Sequence, residues 1–248
     1  MSTVMNDETL PEFNEIWQQT LGWQPHQQQQ EQYQRLYQEI LAANRQINLT
    51  RITDPNEFWE KHLWDSLAGV IGIDLVNPNN LLQVIDIGTG AGFPGIPIAI
   101  AFPNWQITLL DSTRKKVNFI DCLLPILELK NCQTLNGRSE EIGQTKHYRE
   151  NYNIALIRAV GEPSICAEYA LPLLKIGGIA ILYRGHWQEE ETLKLELALK
   201  QLGGKMALIR PLQTPLTQSV RHFIYIQKIV KTPPQFPRQV GIPKQHPL

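Results

Sequence analysis

The chain has 248 residues, is 42% hydrophobic and carries a net charge of −1, enough for one large domain and a small extension. Its three cysteines, Cys122, Cys132 and Cys166, stand far apart, which argues against a disulfide framework or a zinc site and fits a reducing cytoplasm. No apolar run approaches a membrane span, and Met1–Glu8 is polar and acidic, unlike a signal peptide.

The predicted elements begin with helices. Phe13, Ile16, Trp17 and Leu21 fall at helical spacing. The stretch 24–46 is rich in glutamine, yet Tyr33, Leu36, Tyr37, Ile40 and Leu41 recur as the apolar stripe of an amphipathic helix. Thr53 or Asp54 can cap a third helix, with Pro55 in its first turn and Phe58, Trp59, His62, Leu63 and Leu67 along it. Asn77, Pro78, Asn79 and Asn80 then break the chain.

Strands and helices alternate from there. Strands are predicted at Leu82–Ile87, Gln106–Asp111, Cys132–Leu135, Ile154–Ile157, Ile179–Tyr183, Met206–Leu212 and Phe223–Ile229. Helices are predicted after Pro94, at Lys115–Leu124, at Ile165–Leu174 closed by Gly177-Gly178, and at Glu189–Leu202 closed by Gly203-Gly204. This alternation predicts a parallel, doubly wound sheet, and the last two strands, with no helix between them, predict an antiparallel hairpin at its edge.

The first strand leads into Gly88-Thr89-Gly90-Ala91-Gly92-Phe93-Pro94-Gly95 and then an apolar helix. Strand, glycine turn and helix form the entry unit of a nucleotide-binding α/β domain. Gly90, Gly92 and Gly95 fit the dinucleotide pattern G-x-G-x-x-G, whereas Gly88, Gly90 and Gly92 fit the G-x-G-x-G loop of S-adenosylmethionine (AdoMet) methyltransferases. Both cofactors remain open on the glycines alone. Asp111, at the end of the second strand, stands where either class holds ribose hydroxyls with a carboxylate. Arg158 follows the fourth strand at the sheet's carboxyl edge, where a planar cation suits a carboxylate, a phosphate or a guanine.

Absences narrow the chemistry. The run Arg158-Ala159-Val160-Gly161-Glu162-Pro163 lacks the Asn/Asp-Pro-Pro-aromatic arrangement used on exocyclic amines. There is no Pro-Cys nucleophile and no G-x-S-x-G. A methyl acceptor with its own lone pair is left. Charge is unevenly distributed: residues 197–248 hold eight Lys and Arg and no acid, against 15 basic and 24 acidic residues before them. A basic end on an acidic body points to an anionic partner such as nucleic acid.

Several blocks together resemble one family: Asn48-Leu49-Thr50-Arg51-Ile52, His62-Leu63-Trp64-Asp65-Ser66-Leu67, Asp86 through Pro97, and Thr108-Leu109-Leu110-Asp111-Ser112 with Lys116-Val117-Asn118-Phe119 behind it. They are similar to the RsmG (GidB) family of bacterial 16S rRNA guanine-N7 methyltransferases, from about Asn48 to the C-terminus. The resemblance implies a Rossmann-like class I AdoMet methyltransferase fold, α/β, with a mostly parallel seven-stranded sheet and an antiparallel C-terminal hairpin; the strandless helices before it read as an N-terminal helical cap. The expected divisions are a cap at 1–75, a methyltransferase domain at 76–230 and a basic Pro-rich tail at 231–248. The resemblance implies AdoMet contacts at Gly88, Gly90, Phe93, Asp111, Ser112, Thr113, Ser139, Glu140 and Arg158. It also implies methylation of a guanine in the 530 loop of 16S rRNA, free or in the 30S subunit, by a cytoplasmic monomer.

Arg114, Lys115, Lys116, Arg138, Arg184, Arg221 and the basic tail are the candidate RNA contacts, with Arg158 and Arg184 positioning RNA or the AdoMet carboxylate. Arg184 stands where the family pattern has lysine before glycine. No catalytic base is assigned, because guanine N7 is already a lone pair on the exposed base edge. Two other readings compete: a non-catalytic rRNA-binding protein on the same scaffold, and an NAD(P)-dependent oxidoreductase.

Overall fold

The computed structural model describes residues 9–72 and 81–248. Its sheet has seven strands in the order β3-β2-β1-β4-β5-β7-β6. These are β1 (Gln83–Ile87), β2 (Gln106–Asp111), β3 (Cys132–Asn136), β4 (Tyr152–Arg158), β5 (Leu174–Arg184), β6 (Gly204–Gln213) and β7 (Val220–Lys228). Pairings from β3 through β5 are parallel; β7 lies antiparallel to both β5 and β6. The predicted parallel sheet with a C-terminal hairpin is present.

Successive side chains of a strand face opposite sides, so each strand feeds two cores. Val84 packs with the N-terminal helices and with α5 (Gly95–Ala101) and α6 (Arg114–Ile126). Ile85 and Ile87 pack on the other face with α8 (Pro163–Ala170) and α9 (Glu189–Leu202). The chain leaves β1 toward β2 and β3 and later returns on its other side as β4 and β5. Such a reversal opens a crevice at the carboxyl ends of the strands.

One predicted boundary is corrected. The helix expected over Ile165–Leu174 stops at Ala170, a 3-10 turn spans Leu171–Leu173, and β5 starts at Leu174 with Gly177 and Gly178 inside it. Pro172 explains the stop, since proline offers no helical N–H and disfavours helical backbone before it.

The N-terminal helices α1 (Asn14–Leu21) and α2 (Gln27–Asn44) cover one face. The glutamine run is docking chemistry. Gln29 and His26 form a capping box at the start of α2, and Gln29 Nε2 donates to Ile100 O (2.9 Å) at the end of α5. Gln32 Nε2 donates to Leu127 O (2.8 Å) and Arg35 to Ile126 O (2.9 Å) at the end of α6. The last carbonyls of a helix have no partner within it; α2 supplies partners for two helices at once.

The third helical segment is broken into α3 (Pro55–Phe58), a π-helical stretch (Trp59–Trp64) and α4 (Asp65–Ala68), with Asp54 as its cap. It is fixed to the far end of the sheet. Buried Glu60 accepts from Leu216 N (2.6 Å), Thr217 N (2.9 Å) and Thr217 Oγ1 (2.6 Å) in the β6–β7 turn. Tyr183 and Tyr225 donate their hydroxyls to Ser66 O and Gly69 O.

Residues 231–248 are not a trailing segment, as a separate tail would be. Phe236 is buried in the second core, and Arg149 donates to the carbonyls of Thr232, Pro233 and Phe236. The acidic start at 1–8 and the expected boundary near 75–76, with its Asn77–Asn80 break, lie outside the described residues. Among the described residues, no helix is long and apolar enough to cross a membrane.

Replacing Glu60 by Ala leaves the Leu216 and Thr217 N–H groups and the Thr217 hydroxyl without their acceptor. We expect a loss of about 3 kcal/mol in urea unfolding; a change below roughly 0.5 kcal/mol, the level of an ordinary surface substitution, would show that the cap is held by apolar packing alone.

Candidate active site

The glycine loop is shaped by a buried carboxylate. Asp86 Oδ2 accepts from Thr89 Oγ1 (2.6 Å) and from the Gly95 amide (2.8 Å), drawing both ends of the loop onto β1, while Oδ1 is buried without a partner. Burial raises the Asp86 carboxyl from 3.8 to about 6, partly offset by those hydrogen bonds. Gly88 and Gly90 take positive φ angles of 72° and 62°, which side chains with a Cβ rarely adopt. A Cβ on Gly90 would meet nothing nearer than 3.9 Å, whereas one on Gly95 would run into Leu109 and lie 2.8 Å from Asp86 Oδ2. Gly90 is therefore free to let a ligand approach, and Gly95 is a packing position.

Asp111 ends β2 beside this loop. Its Oδ2 accepts from the Gly90 amide (2.9 Å) and its Oδ1 from the Thr113 amide (2.8 Å). Each oxygen keeps a further lone pair for a hydroxyl donor. A cavity of about 100 Å³ opens here, and its lining includes Gly88, Asp111, Ser112, Ser139, Glu140 and Lys244. Ser139 and Glu140 belong to α7 (Ser139–Ile142); Glu140 accepts from Tyr169 OH (3.1 Å) and the Gly241 amide (3.2 Å).

A second cavity, about 660 Å³, lies across the Ala159–Val160 turn from the first: Ala159 lines the larger and Val160 the smaller. Arg158, Arg184 and Arg221 face the larger cavity together with His62 and Asp65. Ala159 itself holds a φ of 56°, the left-handed conformation that costs a non-glycine residue energy and tends to occur at functional turns.

Arg158 is the joint of this cleft. Its guanidinium donates to Lys61 O (2.8 Å), Asp65 Oδ2 (3.2 Å) and His62 Nδ1 (3.1 Å), and lies over the Phe93 ring at 5.4 Å. A guanidinium only donates, so His62 Nδ1 carries the lone pair and Nε2 carries the proton, directed at Thr50 Oγ1 (2.9 Å). Burial, followed by the charges of Arg158 and Lys61, lowers His62 to about 2 and keeps it neutral. Its ring stacks on Phe93 at 4.3 Å and 7°. Arg221 Nε sits 3.4 Å from Asp65 Oδ1, an ion pair without hydrogen-bond geometry. Arg184 donates to Gly161 O (2.9 Å) and pairs with Glu191 (3.1 Å).

The expected cofactor residues thus separate. Gly88, Gly90, Asp111, Ser112, Thr113, Ser139 and Glu140 gather around the loop and the smaller cavity. Arg158 lines the other cavity, and the Phe93 ring, 4% exposed, lines neither, being covered by His62. The expected RNA contacts also form two groups. Arg114 and Lys115 are exposed and Lys116 half-buried at the start of α6, with Arg138 nearby, 3.7 Å from Glu140; Arg184 and Arg221 lie in the cleft. Arg238 of the tail is taken up by Glu168 and is not free for phosphate. Sequence reasoning gave His62 and Asp65 no role. Their i, i+3 spacing beside Thr50 was the available signal.

A family model described as rRNA small subunit methyltransferase G (GidB) matches residues 29–222. The chain belongs to the rRNA small subunit methyltransferase G family. A relative of that name from Nostoc punctiforme is 59% identical over 240 residues, covering 96% of this chain and 98% of the relative. One from Trichodesmium erythraeum is 53% identical over 249 residues, with 98% of each covered. Solved structures share the fold at low identity. A SAM dependent methyltransferase from Aquifex aeolicus has a TM-score of 0.51 at 15% identity, covering 70% of this chain and 94% of its own. M. jannaschii TYW2 in complex with AdoMet has a TM-score of 0.54 at 12% identity, covering 72% and 80%. The family blocks around His62, Asp86 and Asp111 are thus the ones that meet at the crevice.

Two predictions follow from the loop. Gly90→Ala should cost roughly 1–2 kcal/mol of backbone strain and weaken AdoMet binding well beyond that in calorimetry, whereas Gly95→Ala should mainly lower the melting temperature. Equal effects of the two on binding would contradict the division of roles. Asp86, with its folded-state pKa raised, contributes stability below about pH 3.8 that is lost as pH rises through about 6. Asp86→Asn should therefore gain on the wild type between pH 4 and pH 7, by up to roughly 3 kcal/mol, in denaturant titrations at both pH values.

Proposed function

We propose that this protein transfers the methyl group of AdoMet to N7 of a guanine in the 530 loop of small-subunit rRNA. The observation that carries the reading is the pair of cavities on either side of Ala159–Val160: carboxylates and a glycine loop on one side, three arginines on the other. The smaller cavity suits an adenosyl group, with Asp111 taking ribose hydroxyls and the Ser139–Glu140 turn facing the base. The cavity of about 100 Å³ is smaller than a nucleoside, so binding one requires its lining, which includes Val160 and Arg138, to open. The larger cavity has space for an extruded base.

When bound, AdoMet supplies an electrophilic methyl on a sulfonium. The protein's own task is placement. Guanine N7 needs no deprotonation, and neutral, buried His62 is not a base for this step. His62, Asp65 and Lys61 O fix the Arg158 guanidinium, whose remaining N–H groups are available to a base edge or phosphate. Holding nucleophile and methyl carbon in line is worth about 7–11 kcal/mol of barrier. Exposed Arg114 and Lys115, with Arg221 and Arg184, supply phosphate contacts. The protein acts in the cytoplasm as a monomer.

The test is methyl transfer from labelled AdoMet to 30S subunits and to naked 16S rRNA, with the modified nucleotide mapped. Label in a 530-loop guanine at N7 is the expected outcome; RNA binding without transfer would favour the non-catalytic reading. Arg158→Ala should slow transfer by about a hundredfold, the scale of a misplaced reacting pair, while rRNA affinity of the wild type should fall linearly on a log–log salt plot.

A further inference from the structure

Residues 223–248 lie beyond the span matched by the family model, yet the end of the chain returns to the crevice. Its route is fixed by a series of polar contacts. Arg149 holds the carbonyls of Thr232, Pro233 and Phe236, and Gln144 Nε2 donates to Pro237 O (2.8 Å). Arg238 then grips fully buried Glu168: its backbone N–H (2.8 Å), Nε (2.9 and 3.1 Å) and terminal nitrogen (2.6 Å) all donate to that carboxylate. A guanidinium–carboxylate fork is directional as well as strong, so it sets where the following residues go.

Beyond the fork, the Gly241 amide donates to Glu140 Oε1 (3.2 Å), and the short turn α10 (Ile242–Gln245) puts Lys244 in the wall of the smaller cavity with Gly88 and Asp111. Lys244 is exposed and forms no ion pair among the described residues. We infer that residues 239–248 complete the cofactor site: they wall the adenosyl pocket, hold Glu140 in place through Gly241, and direct the Lys244 ammonium at an acceptor of the adenosyl group. Adenine ring nitrogens and ribose oxygens are acceptors, and an ammonium brings three donors. Lys244 is thus a ligand-binding residue, and the basic tail serves the cofactor as well as any phosphate.

This inference rests on the AdoMet reading above. Its test compares the full chain with Lys244→Ala, Lys244→Glu and a chain ending at Arg238, which retains the Glu168 fork and buried Phe236. AdoMet and, separately, adenosine are titrated by calorimetry, and the unliganded melting temperature is recorded for each. We expect Lys244→Ala to weaken both ligands by about tenfold, a typical loss for one charge-assisted hydrogen bond, with Lys244→Glu and the shortened chain weaker still and the melting temperatures of the two point variants unchanged. Wild-type affinity for both ligands in the Lys244 variants and the shortened chain would overturn the inference while leaving the AdoMet reading intact. A full chain that binds no AdoMet would overturn that reading and this one together. If the shortened chain does not fold, the two variants of the exposed Lys244 decide.

Discussion

The structure depends on the grip around Arg158. A guanidinium at the end of β4 is held by a carbonyl, a carboxylate and an imidazole, all from the helical segment of the cap, and lies over a ring of the glycine loop. Three parts of the chain, more than 90 residues apart at the extremes, are thereby fixed at one point. The grip works because the charge is shared: Asp65 is buried, and desolvation raises its carboxyl while Arg158 and Arg221 draw it back down. Removing either cation would leave the other side of the pair buried with less compensation.

An aromatic chain supports the same point. Trp17 meets Trp59 (4.7 Å), Tyr37 meets Phe58 (4.8 Å), Phe58 meets Phe93 (5.7 Å) and Phe93 meets His62 (4.3 Å). The cap is thus continuous with the glycine loop through packed rings, so its role is to set the loop's far side. This also explains why a phenylalanine stands in a loop that needs small residues elsewhere. Its ring anchors the loop to the cap, while Gly90 stays open in front of its Cα and Gly88 packs against Val160.

Compositional oddities become interior chemistry in this arrangement. The glutamine run lines up amides against the carbonyl ends of α5 and α6. The basic C-terminal stretch from 197 onward divides in the same way: Arg238 is held by Glu168, and Lys228, at the end of β7, is fully buried beside Glu150 and Leu174 O. Net charge counted along a sequence does not separate such internal partners from cations left for an anionic ligand.

Much was legible beforehand. Hydrophobic period and glycine placement gave the seven strands and the alternation, because those signals are local to each element. The carboxylate at the end of β2 was readable from its distance to the glycines. The sequence by itself determined the sheet, the loop and the family. Only the tertiary structure decided that Phe93 turns into the cap, that His62 and Asp65 serve Arg158, and that Lys244 reaches a cavity formed 130 residues earlier at Asp111 (about that separation by residue number). Those relations join distant parts of the chain. No residue's neighbours in sequence carry them, and they exist only once burial has fixed which polar groups must find one another.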